Sequence, residues 1–262
     1  MTCLENITAS IAGWKDLSLV DVLGYPSFTV WFNFCNFNCP WCQNWHVVSG
    51  SERKDLTIKE ILDIIADAAY LVEYLHVTGG EPTLQPKALE ALYACVKRKN
   101  LLKNSLNTNG SRPEIIKDLI TKKLIDHIAM DIKAPLSVPE RYGKVIGLEN
   151  AYEYVERVER STRIALEKLA FVELRTTFVP GLLMVDDLIE IGRELRELGC
   201  ADGCYYVIQQ FNPSETIRDE RYKRLRRIPE EAMVRIAKRV KSESGLKNVY
   251  VRTIESGVLE IK

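Results

Sequence analysis

Cys35, Cys39 and Cys42 place three thiols within eight residues, in the run Phe34-Cys-Asn-Phe-Asn-Cys-Pro-Trp-Cys-Gln-Asn44. Structural zinc sites are closed by four protein ligands, whereas a cubane iron-sulfur cluster held by three thiolates keeps one iron open for a substrate. The spacing therefore points to chemistry at an iron. Two plainer readings stand beside it, a redox thiol pair or a zinc knuckle closed by His46. Neighbouring residues suit a tightly curled loop around a cluster. Asn36 and Asn38 tolerate strained turn conformations, Pro40 stiffens the turn, and Trp41 can shield a cluster edge from water.

Three further motifs each follow a short apolar stretch. Thr78-Gly79-Gly80-Glu81-Pro82 offers two glycines without Cβ atoms, against which a ligand can lie, and a carboxylate that can accept from an ammonium. Leu106-Asn107-Thr108-Asn109-Gly110 offers amides and a hydroxyl suited to sugar hydroxyls. Met130-Asp131-Ile132-Lys133 sets an acid and a base inside an apolar run, which is costly unless they face a wet or charged cavity. Taken singly, the same residues also read as turn glycines, an Asn-Gly turn and a buried ion pair.

The elements that must position these motifs alternate. Strands are expected at Ser27 to Phe34, Leu75 to Thr78, Ser105 to Thr108, Ile128 to Ile132, Val172 to Phe178 and Tyr205 to Gln210, rich in β-branched and aromatic residues. Helices are expected between them. Thr57 and Glu60 form a capping box ahead of a face made by Ile61, Ile64, Ile65, Ala68, Leu71 and Val72. Others run near Pro86 to Lys99, Pro113 to Lys122, Ala151 to Lys168 and Val185 to Leu198. A long loop is expected around Pro135, Pro139 and Gly143. A helix near Pro229 to Ser242 and a strand Val249 to Thr253 close the chain. The alternation predicts an α/β fold with a mostly parallel sheet, whose ligands gather where strands end. Residues 1–262 are expected to form one domain, with a core at about 27–212 and a C-terminal helix and strand in 213–262.

Composition narrows the partners. Lys plus Arg and Asp plus Glu number 36 each, so no global field draws the chain to nucleic acid or membrane. No apolar run approaches the roughly 20 residues of a membrane span, and the start Met-Thr-Cys-Leu-Glu-Asn lacks a basic, then apolar, leader. A cytoplasmic protein is expected. Cys3, Cys95, Cys200 and Cys204 lie outside the triad and read as ordinary buried or surface thiols kept reduced. Cys200 and Cys204, astride a helix-to-strand turn, could otherwise join a second cluster.

The cysteine spacing with an aromatic before the third cysteine resembles the signature of the radical S-adenosylmethionine (SAM) superfamily. The whole set of motifs, with Leu17-Ser-Leu-Val-Asp21, Arg175-Thr176-Thr177 and the Tyr206 to Phe211 strand, is similar to glycyl-radical-enzyme activating proteins, notably the activase of anaerobic ribonucleotide reductase. That resemblance implies a partial (β/α)6 barrel, a 4Fe-4S cluster and SAM. It implies that Cys35, Cys39 and Cys42 bind three irons and that SAM chelates the fourth. Trp41 and Gln43 would border the adenine, Gly79, Gly80 and Glu81 the methionine, and Asn107, Thr108, Asp131 and Lys133 the ribose and carboxylate, with Gln209 a further candidate. Neutral Asn107, where some activating enzymes carry Asp, puts a monovalent cation site in doubt. The implied reaction is reductive cleavage of SAM to a 5'-deoxyadenosyl radical that takes a glycine Cα hydrogen from a partner enzyme, with a ferredoxin or flavodoxin as electron donor. The alternatives are a radical SAM enzyme that modifies a small molecule or nucleoside directly, or one of the AMMECR1/Memo-associated type, which Cys42-Gln-Asn-Trp45 also resembles. Arg218 to Lys247, where bases outnumber acids, is expected either to coat the surface or to dock an acidic face of the partner.

Overall fold

The structure, a computed structural model, describes residues 4–262; Cys3 lies outside the described residues. They group into two compact units. The first holds the chain up to Asn36, His46–Thr108 and Glu114–Ala129, and the second Phe37–Trp45, Asn109–Pro113 and Met130–Lys262.

The first unit opens on β1 (Thr8–Val22), which folds back antiparallel on β2 (Tyr25–Phe32) and pairs along its other side with the short β3 (Lys54–Thr57). Beyond β2, β4 (Tyr74–Gly79) and β5 (Lys103–Thr108) continue in parallel, with Phe32 opposite Gly79 in the register. Phe28, Val30, Phe32, Leu75 and Val77 are fully buried, as strands covered on both faces require. A short helix α1 (Trp45–Ser49) follows the cysteine loop. Helix α2 (Ile58–Ala68) starts at the expected capping box: the Thr57 backbone N–H donates to Glu60 Oε2 at 2.7 Å, and Glu60 N–H donates to Thr57 Oγ1 at 3.3 Å. Its buried face is Ile58, Ile61, Leu62, Ile65 and Ala68; Leu71 is 48% exposed because the helix tightens into a 3-10 turn after Ala68. Helix α3 (Pro86–Lys99) starts with Pro86 in its first turn and ends on Asn100 in the left-handed conformation. Helix α4 (Pro113–Thr121) precedes β6 (His127–Asp131), whose first three residues belong to this unit. Inside the strands, the Ser105 hydroxyl lies 2.7 Å from His76 Nδ1 and 2.8 Å from His127 Nδ1, all three buried.

In the second unit β7 (Val172–Phe178), β8 (Cys204–Gln210) and β9 (Val249–Thr253) run parallel, and β10 (Gly257–Glu260) turns back antiparallel on β9. Helices α5 (Pro139–Ile146), α6 (Tyr152–Lys168), α7 (Val185–Glu197), α8 (Glu220–Lys223) and α9 (Glu230–Ser244) complete it. Helix α7 packs against α9, where Gly192 makes room: a Cβ there would lie 2.6 Å from Ser244 Cβ.

The α/β character and the six expected strands are present. Three features differ from the sequence expectation. The expected loop around Pro139 and Gly143 is helix α5, with Pro139 at its start and Gly147 as its left-handed cap. Strand β1 has no counterpart in the expectation, since its bulged register interrupts the alternation of polar and apolar residues. Cys200 and Cys204 are not free thiols but form a disulfide across the turn from α7 to β8, with Cα atoms 5.3 Å apart, within bridging reach. That pairing also removes them as ligands of a second cluster.

Closing so short a loop stabilises the fold by about 2 kcal/mol on chain-entropy grounds. Cys200→Ala/Cys204→Ala should therefore melt several degrees below the wild type, and a phosphine reductant should lower the wild-type melting temperature while leaving the double variant unmoved.

Candidate functional site

The cysteine loop leaves β2 through Phe34, whose φ of 71° is left-handed, a conformation a bulky residue adopts only when its surroundings enforce it. Asn36 and Asn38, the expected strained positions, do not carry positive φ. The enforcing group is the glycine pair after β4. Phe34 C=O accepts the Glu81 backbone N–H at 2.7 Å, and Phe32 C=O accepts that of Gly80 at 2.9 Å. A Cβ on Gly80 would lie 1.9 Å from the Phe34 oxygen, and one on Gly79 2.3 Å from the Phe32 oxygen. The glycines thus seat the start of the cysteine loop on the end of β4.

Also in the first unit, the Glu81 side chain is fully buried, and its Oε1 accepts from the Thr83 backbone N–H at 3.1 Å, the Thr83 hydroxyl at 2.5 Å and the Thr108 hydroxyl at 2.8 Å. Asn107 donates its amide to the Thr78 hydroxyl at 2.9 Å. The motifs at the ends of β4 and β5 are therefore cross-bonded, Glu81 to Thr108 and Thr78 to Asn107, with Cys35 on the adjoining loop. His46 lies within 3.9 Å of Glu52, its ring turned to a carboxylate.

The second unit gathers the rest. Lys133 Nζ bonds Asp131 Oδ2 at 2.8 Å and lies 5.2 Å from the centre of the Trp41 ring. Burial works against the Lys133 charge, but Asp131 and then the Cys39 sulfur more than offset it and hold its pKa above the ordinary lysine value. The indole N–H of Trp41 donates to Val145 C=O at 2.9 Å, and its ring meets Phe211 edge-on. Burial raises the Cys42 pKa, while the Asn44 backbone and the charges of Lys133 and Arg218 act the other way. Gln43 is held by the segment after β8: its amide donates to Asn212 C=O, and Thr216 donates to its own C=O at 2.5 Å. Gln209 accepts from the Thr177 hydroxyl at 3.2 Å.

Residues that sequence reasoning did not single out complete this half. Gly147, φ 69°, caps α5 against the cysteine loop, where a Cβ would lie 2.1 Å from Asn38 C=O, and Asn38 N–H donates to Ile146 C=O at 2.9 Å. The signal for Gly147 is a glycine after a helical turn, hidden because Pro139 and Gly143 give that turn the look of a loop. Arg218 stacks on Trp45 at 4.2 Å, a contact with no sequence signature.

Cys35, Cys39 and Cys42 are free of disulfides, and Cys35 and Cys42 are partly exposed. Among the described residues no three His, Cys, Asp or Glu side chains draw together around one ion. The Lys133 charge acts on the Cys39 sulfur, which suits an anionic cluster there. Three closely spaced cysteines outside any disulfide, in an α/β fold with parallel strands, are the setting of an iron-sulfur enzyme of the parallel-sheet type.

The Radical SAM superfamily model matches residues 29–195, and the chain belongs to that superfamily. Its cofactors are accordingly a 4Fe-4S cluster and SAM. The chain is 31% identical, over 97% of its length and 99% of the relative's, to a Methanocaldococcus jannaschii protein provisionally named a glycyl-radical enzyme activating enzyme. It is 22% identical to the GTP 3',8-cyclase of Pasteurella multocida over 64% of this chain and 62% of the cyclase. Among solved structures, a radical SAM methyltransferase from Sphaerobacter thermophilus superposes with a TM-score of 0.66 at 18% identity, covering 86% of this chain and 66% of that one. The fold expectation is thereby met. No helix among the described residues is long and apolar enough to cross a membrane.

Gly80→Ala should cost several kcal/mol of stability, in the range of severe backbone clashes, and should abolish cluster loading before it abolishes secondary structure. Circular dichroism together with iron content after anaerobic reconstitution checks this, and normal loading of the variant would show that the clamp is dispensable. Ala at Cys35, Cys39 or Cys42 should each abolish the broad visible absorption.

Proposed function

We propose that this radical SAM enzyme activates a glycyl-radical enzyme. The observation that carries the proposal is the likeness to the M. jannaschii protein, which runs nearly end to end in both chains. The cluster and SAM, when bound, supply reductive cleavage of the sulfonium and a 5'-deoxyadenosyl radical able to abstract a hydrogen atom.

The residues take the following parts in that reading. Cys35, Cys39 and Cys42 hold the cluster. Glu81, pinned by the Thr83 and Thr108 hydroxyls, presents a fixed carboxylate to an ammonium, so its charge is placed before the ligand arrives. Asn107 and Thr108 serve the ribose. Lys133, kept protonated beside Asp131, serves a carboxylate, while Trp41 and Gln43 border the base. Gln209 lies on β8, one residue before its end.

The partner is read from charge. Between Arg218 and Arg227 six bases stand against two acids. Arg221 and Arg224 side chains are about four-fifths exposed despite their local partners Asp219 and Glu220. The start of the stretch is bound to the cysteine loop through Gln43 and Trp45. This is the surface proposed to dock an acidic face of the glycyl-radical enzyme, with a ferredoxin or flavodoxin as electron donor. A second reading, direct action on a nucleotide, is favoured by the cyclase likeness, which covers less of both chains.

The deciding experiment incubates the reconstituted, reduced enzyme and SAM with a candidate glycyl-radical enzyme and looks for a glycine-centred doublet by electron paramagnetic resonance. Absence of a protein radical with every candidate, together with SAM cleavage stimulated by a nucleotide, would favour the second reading. Charge reversal by Arg224→Glu/Arg226→Glu/Arg227→Glu should slow radical formation at least several-fold at low salt and leave uncoupled SAM cleavage unchanged. Glu81→Ala should weaken SAM binding by about 1.5–3 kcal/mol; because Glu81 is buried and triply bonded, a lower melting temperature should accompany the loss.

A further inference from the structure

Two peptide groups link Asp131 to Lys133, and β7 holds both of them. The first carries the Ile132 N–H, which donates to Arg175 C=O at 2.8 Å. The second carries the Ile132 C=O, which accepts from the Thr176 hydroxyl at 2.7 Å. Ile132 and Thr176 are fully buried, so water cannot stand in for either bond. Behind Thr176 stands Tyr206 of β8, also fully buried, whose hydroxyl donates to Thr176 Oγ1 at 3.1 Å. A threonine hydroxyl has one proton, so a donor arriving at its oxygen leaves that proton for the Ile132 carbonyl. Burial holds the Tyr206 pKa above the usual tyrosine range, which keeps the phenol a donor. The side chains that flank Ile132 meet across it: Asp131 Oδ2 lies 2.8 Å from Lys133 Nζ, and Nζ lies 5.2 Å from the centre of the Trp41 ring. A lysine head rides on a flexible four-carbon stem, so its placement depends on how firmly its backbone is fixed.

We propose that Thr176 is a positioning residue for SAM, supported from behind by Tyr206: its hydroxyl fixes the peptide that precedes Lys133 and thereby aims the Lys133 ammonium at the ligand's carboxylate. Thr176 acts through Lys133 and not on the ligand, since its own side chain is fully buried. The Arg175-Thr176-Thr177 run and the strand from Tyr206 thus gain a part in the site through one hydrogen-bonded chain, phenol to threonine to carbonyl. The proposal rests on the reading that Lys133 serves a carboxylate and on nothing about the macromolecular partner.

The test titrates SAM into the anaerobically reconstituted protein by calorimetry, with affinities referred to iron content. Thr176→Val, which keeps the shape and loses the hydroxyl, should weaken SAM binding about tenfold, the order of one hydrogen bond. Thr176→Ser, which keeps the hydroxyl, should bind SAM as the wild type does. Tyr206→Phe should weaken binding by a smaller factor, and it carries the test where Thr176→Val fails to fold. Lys133→Met separates positioning from general support of the fold: adding Thr176→Val to Lys133→Met should cause no further loss of affinity, because the residue it acts through is gone. Equal losses from Thr176→Val with and without Lys133 would overturn the proposal. So would wild-type affinity in both Thr176→Val and Tyr206→Phe while Lys133→Met binds weakly. Unaltered SAM affinity in Lys133→Met would overturn the reading of Lys133 and the proposal with it.

Discussion

The contact on which the rest of the first unit depends is the approach of one carbonyl to one glycine. Phe34 C=O sits where a Gly80 side chain would be and accepts the Glu81 N–H behind it. Because β2 and β4 are parallel and in register, with Phe32 opposite Gly79, their ends reach the same level and their loops leave side by side. Any side chain at Gly80 would part them. The left-handed strain at Phe34 is the local cost of turning the chain toward Cys35. The same clamp fixes Glu81, which then organises Thr83 and Thr108. A motif that reads as a surface for ligand is thus first a hinge pin for the loop that carries the cysteine.

The second unit solves the matching problem with charge and a helix end. Gly147 lets α5 touch the chain at Asn38, and Val145 and Ile146 lend their otherwise orphaned carbonyls to Trp41 and Asn38. Lys133 joins Asp131, Trp41 and Cys39 into one electrostatic group. An isolated lysine there would lose its proton to escape desolvation; the paired carboxylate keeps the charge in place.

Much of this was legible before any coordinates. The strands that carry the motifs declared themselves through β-branched residues, and Thr57 with Glu60 announced α2, because local signals decide those features. The three cysteines stand out in the sequence because ligand spacing is itself local. What stayed hidden was non-local. The identity of the strained residue depended on Gly80, nearly fifty positions away from Phe34. Helix α5 was obscured by its proline and glycine, which mark its two ends yet read as a broken loop. Strand β1 was missed because bulges spoil its period. The Cys200–Cys204 bridge was missed because an expectation about compartment outweighed a spacing that geometry permits.

That bridge sets two sulfur chemistries against each other in one chain. In the proposed function three thiols stay open to receive iron, while two others, far along the chain, are joined. A medium reducing enough to keep the first set open works against the second. The bridge is sheltered: Cys200 and Cys204 are 7% and 3% exposed, close to Cys39 at 9%, whereas Cys35 and Cys42 are partly exposed. Thiol exchange needs an attacker in line with the sulfur, so a buried bridge reacts slowly whatever its equilibrium position. Burial would then slow reduction of the bridge, and any slow opening of α7 or β8 would set the time over which a strongly reduced sample keeps its staple.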